Sequence, residues 1–178
     1  PEFKKYINNQ KSLISYKENI LYKIEYIQQN SIGKSSRSNL ITYIKGFDDI
    51  RKLLSHQKLA QLKKMPPKFF SFNTPGGRCE YCKGDGFISI DMQFMSDIKI
   101  TCENCNGKRY KEEILQIKYK RKNIYDILNM TVDSAYDFFT KEDRQNITKH
   151  LRTLKAVGLG YVKLGQSLSS LSGGESQR

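Results

Sequence analysis

The apolar and polar positions of the chain change their period from one stretch to the next, and each change marks an expected element. Over residues 4–28, Ile20, Tyr22, Ile24 and Tyr26 alternate with Leu21, Lys23 and Glu25, which permits a strand or a helical start. Residues 29–46 are turn-rich. From Asp48 the period becomes helical: Ile50, Leu53, Leu54, Leu59 and Leu62 form one broad apolar face that Pro66 and Pro67 close. Extended chain and turn follow over 69–77. Residues 87–94 alternate with a period of two, Ser96-Asp97 offers a turn, and 98–101 supplies the returning strand of a β-hairpin. A third short strand is expected over 113–119. Three helices complete the pattern: 124–128 behind Asn123, 132–139 capped by Thr131, and 142–157 carrying Ile147, Leu151, Leu154 and Val157. Gly158 and Gly160 stop the last of these.

The chain's 178 residues suit one domain, and 11 Tyr with 9 Phe supply core area in the absence of Trp. Disorder throughout is therefore not expected. No 18-residue apolar run and no signal-peptide pattern occur, so no membrane span is expected. Pro1-Glu2-Phe3 is compatible with a vector-derived remnant and is left out of the functional reading. Lys and Arg number 31 against 18 Asp and Glu, a net charge of +13. That excess repels itself unless an anion is near. Double-stranded DNA is the leading partner, ahead of an acidic protein or an anionic membrane. AT-rich coding, which also enriches Ile and Asn, accounts for part of the lysine.

Two cysteine pairs carry the strongest chemistry. Cys79-Glu-Tyr-Cys82 and Cys102-Glu-Asn-Cys105 each place two thiolates at the spacing that grips one cation from a tight turn, and a hairpin can bring the pairs together. Gly84 and Gly107 follow the pairs where the chain must curl beneath the metal. The ligand set points to one structural Zn²⁺ per chain; an iron–sulfur cluster and two disulfides are the lesser alternatives. Four cysteines leave no open position, so no hydrolytic role is expected. The same arrangement points to a reducing cytoplasm. His56 and His150 are not needed as ligands.

Cations gather after the second pair. Arg109, Lys111, Lys118, Lys120 and Arg121, interleaved with Tyr110 and Tyr119, are the candidate DNA contacts, expected to bind phosphate with little sequence preference. An ordinary solvated surface is the competing reading for each lysine taken singly.

Residues 171–178, LSGGESQR, closely match the signature loop of ABC-type ATPases. Ser172 offers a hydroxyl, Gly173 and Gly174 let backbone N–H groups approach phosphate, and a helix starting near Glu175 points its positive end the same way. In an ABC-type dimer this loop caps nucleotide held by the opposite half. The chain has no GxxxxGK[ST], and Gly33-Lys34-Ser35 lacks the leading glycines of a P-loop, so the chain alone is not expected to hydrolyse ATP.

Taken together, Gly76-Gly77-Arg78-Cys79-Glu80-Tyr81-Cys82-Lys83-Gly84-Asp85-Gly86, Cys102–Tyr110, LNMT at 128–131, Leu164-Gly165-Gln166-Ser167 and the terminal octet resemble the UvrA family, the damage-recognising ATPases of bacterial nucleotide excision repair. The resemblance covers about residues 27–178. Gln29, with Ser31-Ile32-Gly33 and Arg37-Ser38-Asn39, is similar to the family's Q-loop segment. Gln28, Ser31 and Leu40 stand where the family usually has an acidic residue and two prolines, which keeps open a divergent paralogue.

The resemblance implies an α+β fold: a mainly helical signature subdomain over 47–178, carrying a four-cysteine, zinc-pinned β-hairpin module inserted at 76–122, behind an N-terminal segment over 1–46. It implies a noncatalytic fragment of an excinuclease ATPase subunit. Within the parent, Gln29, Ser172, Gly173, Gly174 and Glu175 would face ATP and Mg²⁺, in a homodimer that works with the excinuclease B subunit. The alternatives are a zinc-stabilised protein-interaction module and a fragment of an ABC-type paralogue serving antibiotic resistance.

Overall fold

A computed structural model describes residues 37–90, 92 and 97–178; the expectations for 1–36, including Gln29 and Gly33-Lys34-Ser35, and for the Ser96 side of the hairpin turn lie outside the described residues. The described part is α+β, with eight helices and one two-stranded sheet.

Helix α1 (Leu40–Tyr43) is a single turn fixed by a capping box between Asn39 and Thr42. Helix α2 (Phe47–Ser55) buries Phe47, Ile50 and Leu54 at helical spacing. The single long helix expected from Asp48 to the prolines does not form. Ser55 Oγ and His56 Nδ1 bond back to the carbonyl of Lys52, and Gln57 Nε2 takes the Leu53 carbonyl that its own N–H would meet in a continuing helix; that N–H turns to the Leu54 carbonyl instead. Gln57 is extended, and a separate α3 (Lys58–Leu62) follows. The break rotates the apolar face: Ala60 is buried, whereas Leu59 and Leu62 face solvent, Leu62 at 80% exposure. Pro66 then starts a 3₁₀ turn, Pro67–Phe70.

The hairpin forms as expected, with β1 (Phe87–Ile90) antiparallel to β2 (Ile98–Thr101) in the register Phe87↔Thr101 to Ile90↔Ile98. The third strand does not. An extended Lys111 precedes a short helix α4 (Glu112–Leu115), with Glu112 and Glu113 placed at its positive end. The burial of Leu115, Ile117 and Tyr119 does alternate, but among the described residues the segment has no strand to pair with. It closes instead on a two-residue turn, in which Tyr119 and Lys122 exchange both backbone hydrogen bonds around left-handed Lys120 and Arg121.

Helix α5 (Ile124–Asn129) starts at a capping box between Asn123 and Asp126, and α6 (Val132–Lys141) starts with the Thr131 hydroxyl accepting from the Ser134 N–H. Helix α7 (Gln145–Ala156) begins three residues later than its periodicity suggests, because Asp143 takes a left-handed φ of 50° and closes the end of α6. Helices α6 and α7 pack together, Val132, Ala135 and Phe139 against the side carrying Ile147, Leu151 and Leu154. One contiguous core runs from Leu40 through these helices to Leu168. A second 3₁₀ turn (Leu168–Ser170) leads to α8 (Gly173–Gln177). Among the described residues, no helix is long and apolar enough to cross a membrane.

Candidate metal centre and nucleotide loop

The two cysteine pairs adopt one backbone shape twice. After Cys79-x-x-Cys82, Lys83 and Gly84 take φ of 51° and 88°; after Cys102-x-x-Cys105, Asn106 and Gly107 take 47° and 75°. In each knuckle a backbone N–H returns to the first cysteine's carbonyl, Gly84 to Cys79 at 3.1 Å and Gly107 to Cys102 at 3.4 Å. A second N–H returns to the last cysteine's carbonyl, Asp85 to Cys82 and Lys108 to Cys105. The knuckles are joined at their base, where the Cys79 N–H donates to the Arg109 carbonyl and Lys111 N–H to that of Gly77. The glycines also admit the rest of the fold: a Cβ on Gly84 would lie 1.9 Å from the Phe72 carbonyl oxygen, and one on Gly77 1.8 Å from that of Phe69.

This arrangement gathers all four Sγ atoms, each buried, within 4.8 Å of one another. Cys79 and Cys102 approach at 3.9 Å, Cys82 and Cys105 at 3.7 Å. A disulfide needs about 2.05 Å, so the thiols are unpaired. Ligands about 2.3 Å from a tetrahedral zinc stand about 3.8 Å apart. The cage therefore fits zinc, held by Cys79, Cys82, Cys102 and Cys105, which would tie both knuckles to one centre. The Gly86 N–H donates to Cys82 Sγ at 3.2 Å, a bond that steadies a charged sulfur. Without a cation the thiols differ. Burial pushes Cys105 up to about 12, with the neighbouring thiols of Cys102 and Cys82 adding to the rise. Burial raises Cys82 as well, against N–H groups of Gly86 and Gly84. For Cys102 burial also pushes upward, but the N–H of Cys105 and the neighbouring thiols outweigh it, and its pKa falls below the ordinary thiol value.

The five cations expected to meet DNA lie on different features. Arg109 sits in the second knuckle at φ 72°, its guanidinium 5.3 Å from the centre of the Phe72 ring. Lys111 lines a 330 Å³ cavity beside Cys79 and Cys105, together with Glu80 and Glu112. Lys118, Lys120 and Arg121 belong to the exposed turn that packs through Tyr119 on Phe138 of α6. There Lys120 is paired with Glu142 at 3.3 Å.

At the opposite end of the chain, Ser172 and Glu175 form a capping box: Glu175 N–H donates to Ser172 Oγ, and Ser172 N–H to Glu175 Oε2 at 2.7 Å. The helix thus begins at Gly173, earlier than expected, and among the described residues nothing lies within 4 Å of where a Cβ on Gly173 or Gly174 would stand. The Ser172 hydroxyl accepts in the cap, leaving its proton to donate outward. A contact missed by sequence reading supports the loop: Tyr161 OH donates to Glu175 Oε1 at 2.6 Å. This bond, with those from Ser172, holds the Glu175 carboxyl below its ordinary pKa.

No protein-family model matches the chain. It is 53% identical over 156 residues to UvrABC system protein A of Clostridium perfringens, covering 88% of this chain and 16% of that protein. It is 52% identical over 163 residues to the protein of the same name from Mycoplasmopsis pulmonis, covering 90% and 17%. Its fold matches the crystal structure of UvrA2 from Deinococcus radiodurans with a TM-score of 0.79 at 45% identity, over 84% of this chain and 18% of that one. The chain spans about a sixth of the length of these curated relatives.

Proposed function

We propose, for a chain that matches the UvrA family in sequence and in fold, that it serves as the zinc-stabilised, DNA-binding signature subdomain of a UvrA-type ATPase. The observation that carries this reading is the coexistence, in one fold, of a closed four-thiol cage and an open signature loop. Zinc supplies four metal–sulfur bonds and no reactive position. Cys79, Cys82, Cys102 and Cys105 would hold it, and the knuckles present Arg109 and Lys111 beside it. The turn bearing Lys118, Lys120 and Arg121 adds cations on the helical side. Phosphate is the natural ligand for such a surface on a chain of net charge +13.

The signature loop has the opposite role, that of half a site. Ser172, Gly173 and Gly174 stand exposed with their backbone preset by the cap, and Tyr161 keeps Glu175 in place. In the parent ATPase they would meet the phosphates of ATP bound, with Mg²⁺, by the opposing half of a dimer. Gln29 would serve the nucleotide of its own half. Work with the excinuclease B subunit belongs to the parent.

The test is duplex-DNA affinity of the zinc-loaded chain, measured by fluorescence anisotropy over a salt series. Micromolar or tighter binding that weakens steeply with salt is expected. No binding at low salt would overturn the DNA role. It would favour the second reading, a protein-interaction scaffold, for which the solvent-exposed Ile90, Ile98 and Ile100 of the hairpin speak. A repair subunit and a resistance paralogue are separated in the full-length ATPase, by whether damaged duplex alters its turnover.

A further inference from the structure

We infer that the groove between the second cysteine knuckle and residues 163–166 binds a phosphodiester group of duplex DNA, an assignment that rests on the DNA-binding reading above. The groove encloses about 230 Å³. Lys108 and Arg109 come from the knuckle, Tyr125 and Asn129 from α5, and Lys163 and Gln166 from the loop that runs toward the signature octet.

Its charge sets it apart. Among the described residues, three cations line it and no carboxylate does. The cavity beside Cys105 balances Lys108 and Lys111 with Glu80 and Glu112, and the two clefts along α7 contain Asp143, one of them Asp49 as well. Among the described residues, none of Lys108, Arg109 and Lys163 belongs to an ion pair. Arg109 and Lys163, with Lys108 shared between this groove and the cavity beside Cys105, are like charges that repel one another unless an anion enters.

The geometry also holds these groups ready. Arg109 occupies a left-handed backbone position that a non-glycine residue reaches at a cost. Its carbonyl accepts from the Cys79 N–H and its guanidinium lies over Phe72, so the residue is held at both its backbone and its charged end. On the other wall, Gly165 lets the loop lie against α5, since a Cβ there would stand 2.9 Å from Leu128 Cβ. The volume is below the roughly 300–1,000 Å³ of small-molecule pockets, so it suits one phosphate group of a continuous backbone rather than a whole nucleotide. Lys163 and Gln166 are isolated in sequence from the cation cluster, and only the fold brings them to it. The same loop bonds to residues 38–41 through Leu40 N–H to Gln166 O, Ile41 N–H to Leu164 O and Leu168 N–H to Ser38 O. A phosphate held here would therefore sit on the segment that leads into Ser172.

The test compares two charge-removed chains with the wild type by duplex anisotropy over salt, each checked for zinc content and helicity. One carries Lys108→Gln and Lys163→Gln; the other carries Lys118→Gln, Lys120→Gln and Arg121→Gln. The groove variant is expected to bind several-fold more weakly, with the slope of log K against log salt reduced by about 0.9 per contact removed. Lys163→Arg should keep the wild-type slope. If the wild type binds and the groove variant matches it in affinity and slope, the groove assignment is overturned and the DNA reading stands. If the wild type itself fails to bind, both fall. Displacement of the duplex by ATP at matched ionic strength would reassign the groove to free nucleotide phosphate and overturn it as well.

Discussion

The cysteine knuckles and the signature loop are both glycine-bearing turns, yet their glycines live in opposite surroundings. Gly77 and Gly84 are buried with a carbonyl oxygen pressed against the space a side chain would fill, whereas Gly173 and Gly174 look into open solvent. The knuckles are complete: four ligands, backbone bonds to both carbonyl pairs, and a base joined by Cys79 and Lys111. The loop is preset by a cap satisfied internally, and among the described residues nothing packs against its two glycines. Glycine in the first case serves close packing of the fold, and in the second it leaves open space beside the loop.

The largest effect expected from breaking this contrast is removal of the metal. Chelation, or Cys102→Ser, should collapse the amide dispersion of residues 77–111, because structural zinc contributes on the order of 10 kcal/mol to small zinc folds. The α6–α7 pair, which has its own packed face, should keep its signals in the same spectra. Next comes the glycine pair itself. Gly84→Ala meets the Phe72 carbonyl at φ 88° and should lower unfolding stability in urea by roughly 2–4 kcal/mol. Gly174→Ala should stay within about 0.5 kcal/mol or gain slightly, as alanine is the better helix former. Equal losses at both positions would dissolve the distinction.

A smaller effect separates two tyrosines. Tyr110 is 2% exposed and its hydroxyl donates to the Phe70 carbonyl at 3.0 Å, so Tyr110→Phe should cost about 1–2 kcal/mol by orphaning a buried acceptor. Tyr161 is exposed, and Tyr161→Phe should leave the unfolding midpoint unchanged while releasing Glu175. The smallest effect is a titration. Because the Glu175 carboxyl is held low in the folded loop, its contribution to the cap is present above the unfolded value and lost as pH falls through the folded one. In a carboxyl-detected NMR titration the midpoint should lie below that of a free glutamate, and should rise toward it in Tyr161→Phe. An unchanged midpoint in that variant would remove Tyr161 from the loop's support.

What could be read along the chain depended on how local its cause was. The metal cage was legible because two residues between cysteines, followed by glycine, already dictate a knuckle. Asn123 and Thr131 announced their helices because a cap acts within three residues. Elements decided by competition were misjudged. The helix from Asp48 breaks because Ser55, His56 and Gln57 bond backward, and its periodicity continues across the break unchanged. Residues 115–119 alternate as a strand would, but a strand needs a partner that only tertiary structure can supply. Lys163 and Gln166, and the support of Glu175 by Tyr161, were invisible for the same reason: each depends on a contact made across the fold.

The most direct measurement is the metal content and first coordination shell of the folded, unoxidised chain, by elemental analysis and X-ray absorption. One zinc per chain, bound by four sulfurs at about 2.3 Å, is the expected result. Less than about half an equivalent, or a shell that contains nitrogen or oxygen, would contradict a cage closed by Cys79, Cys82, Cys102 and Cys105.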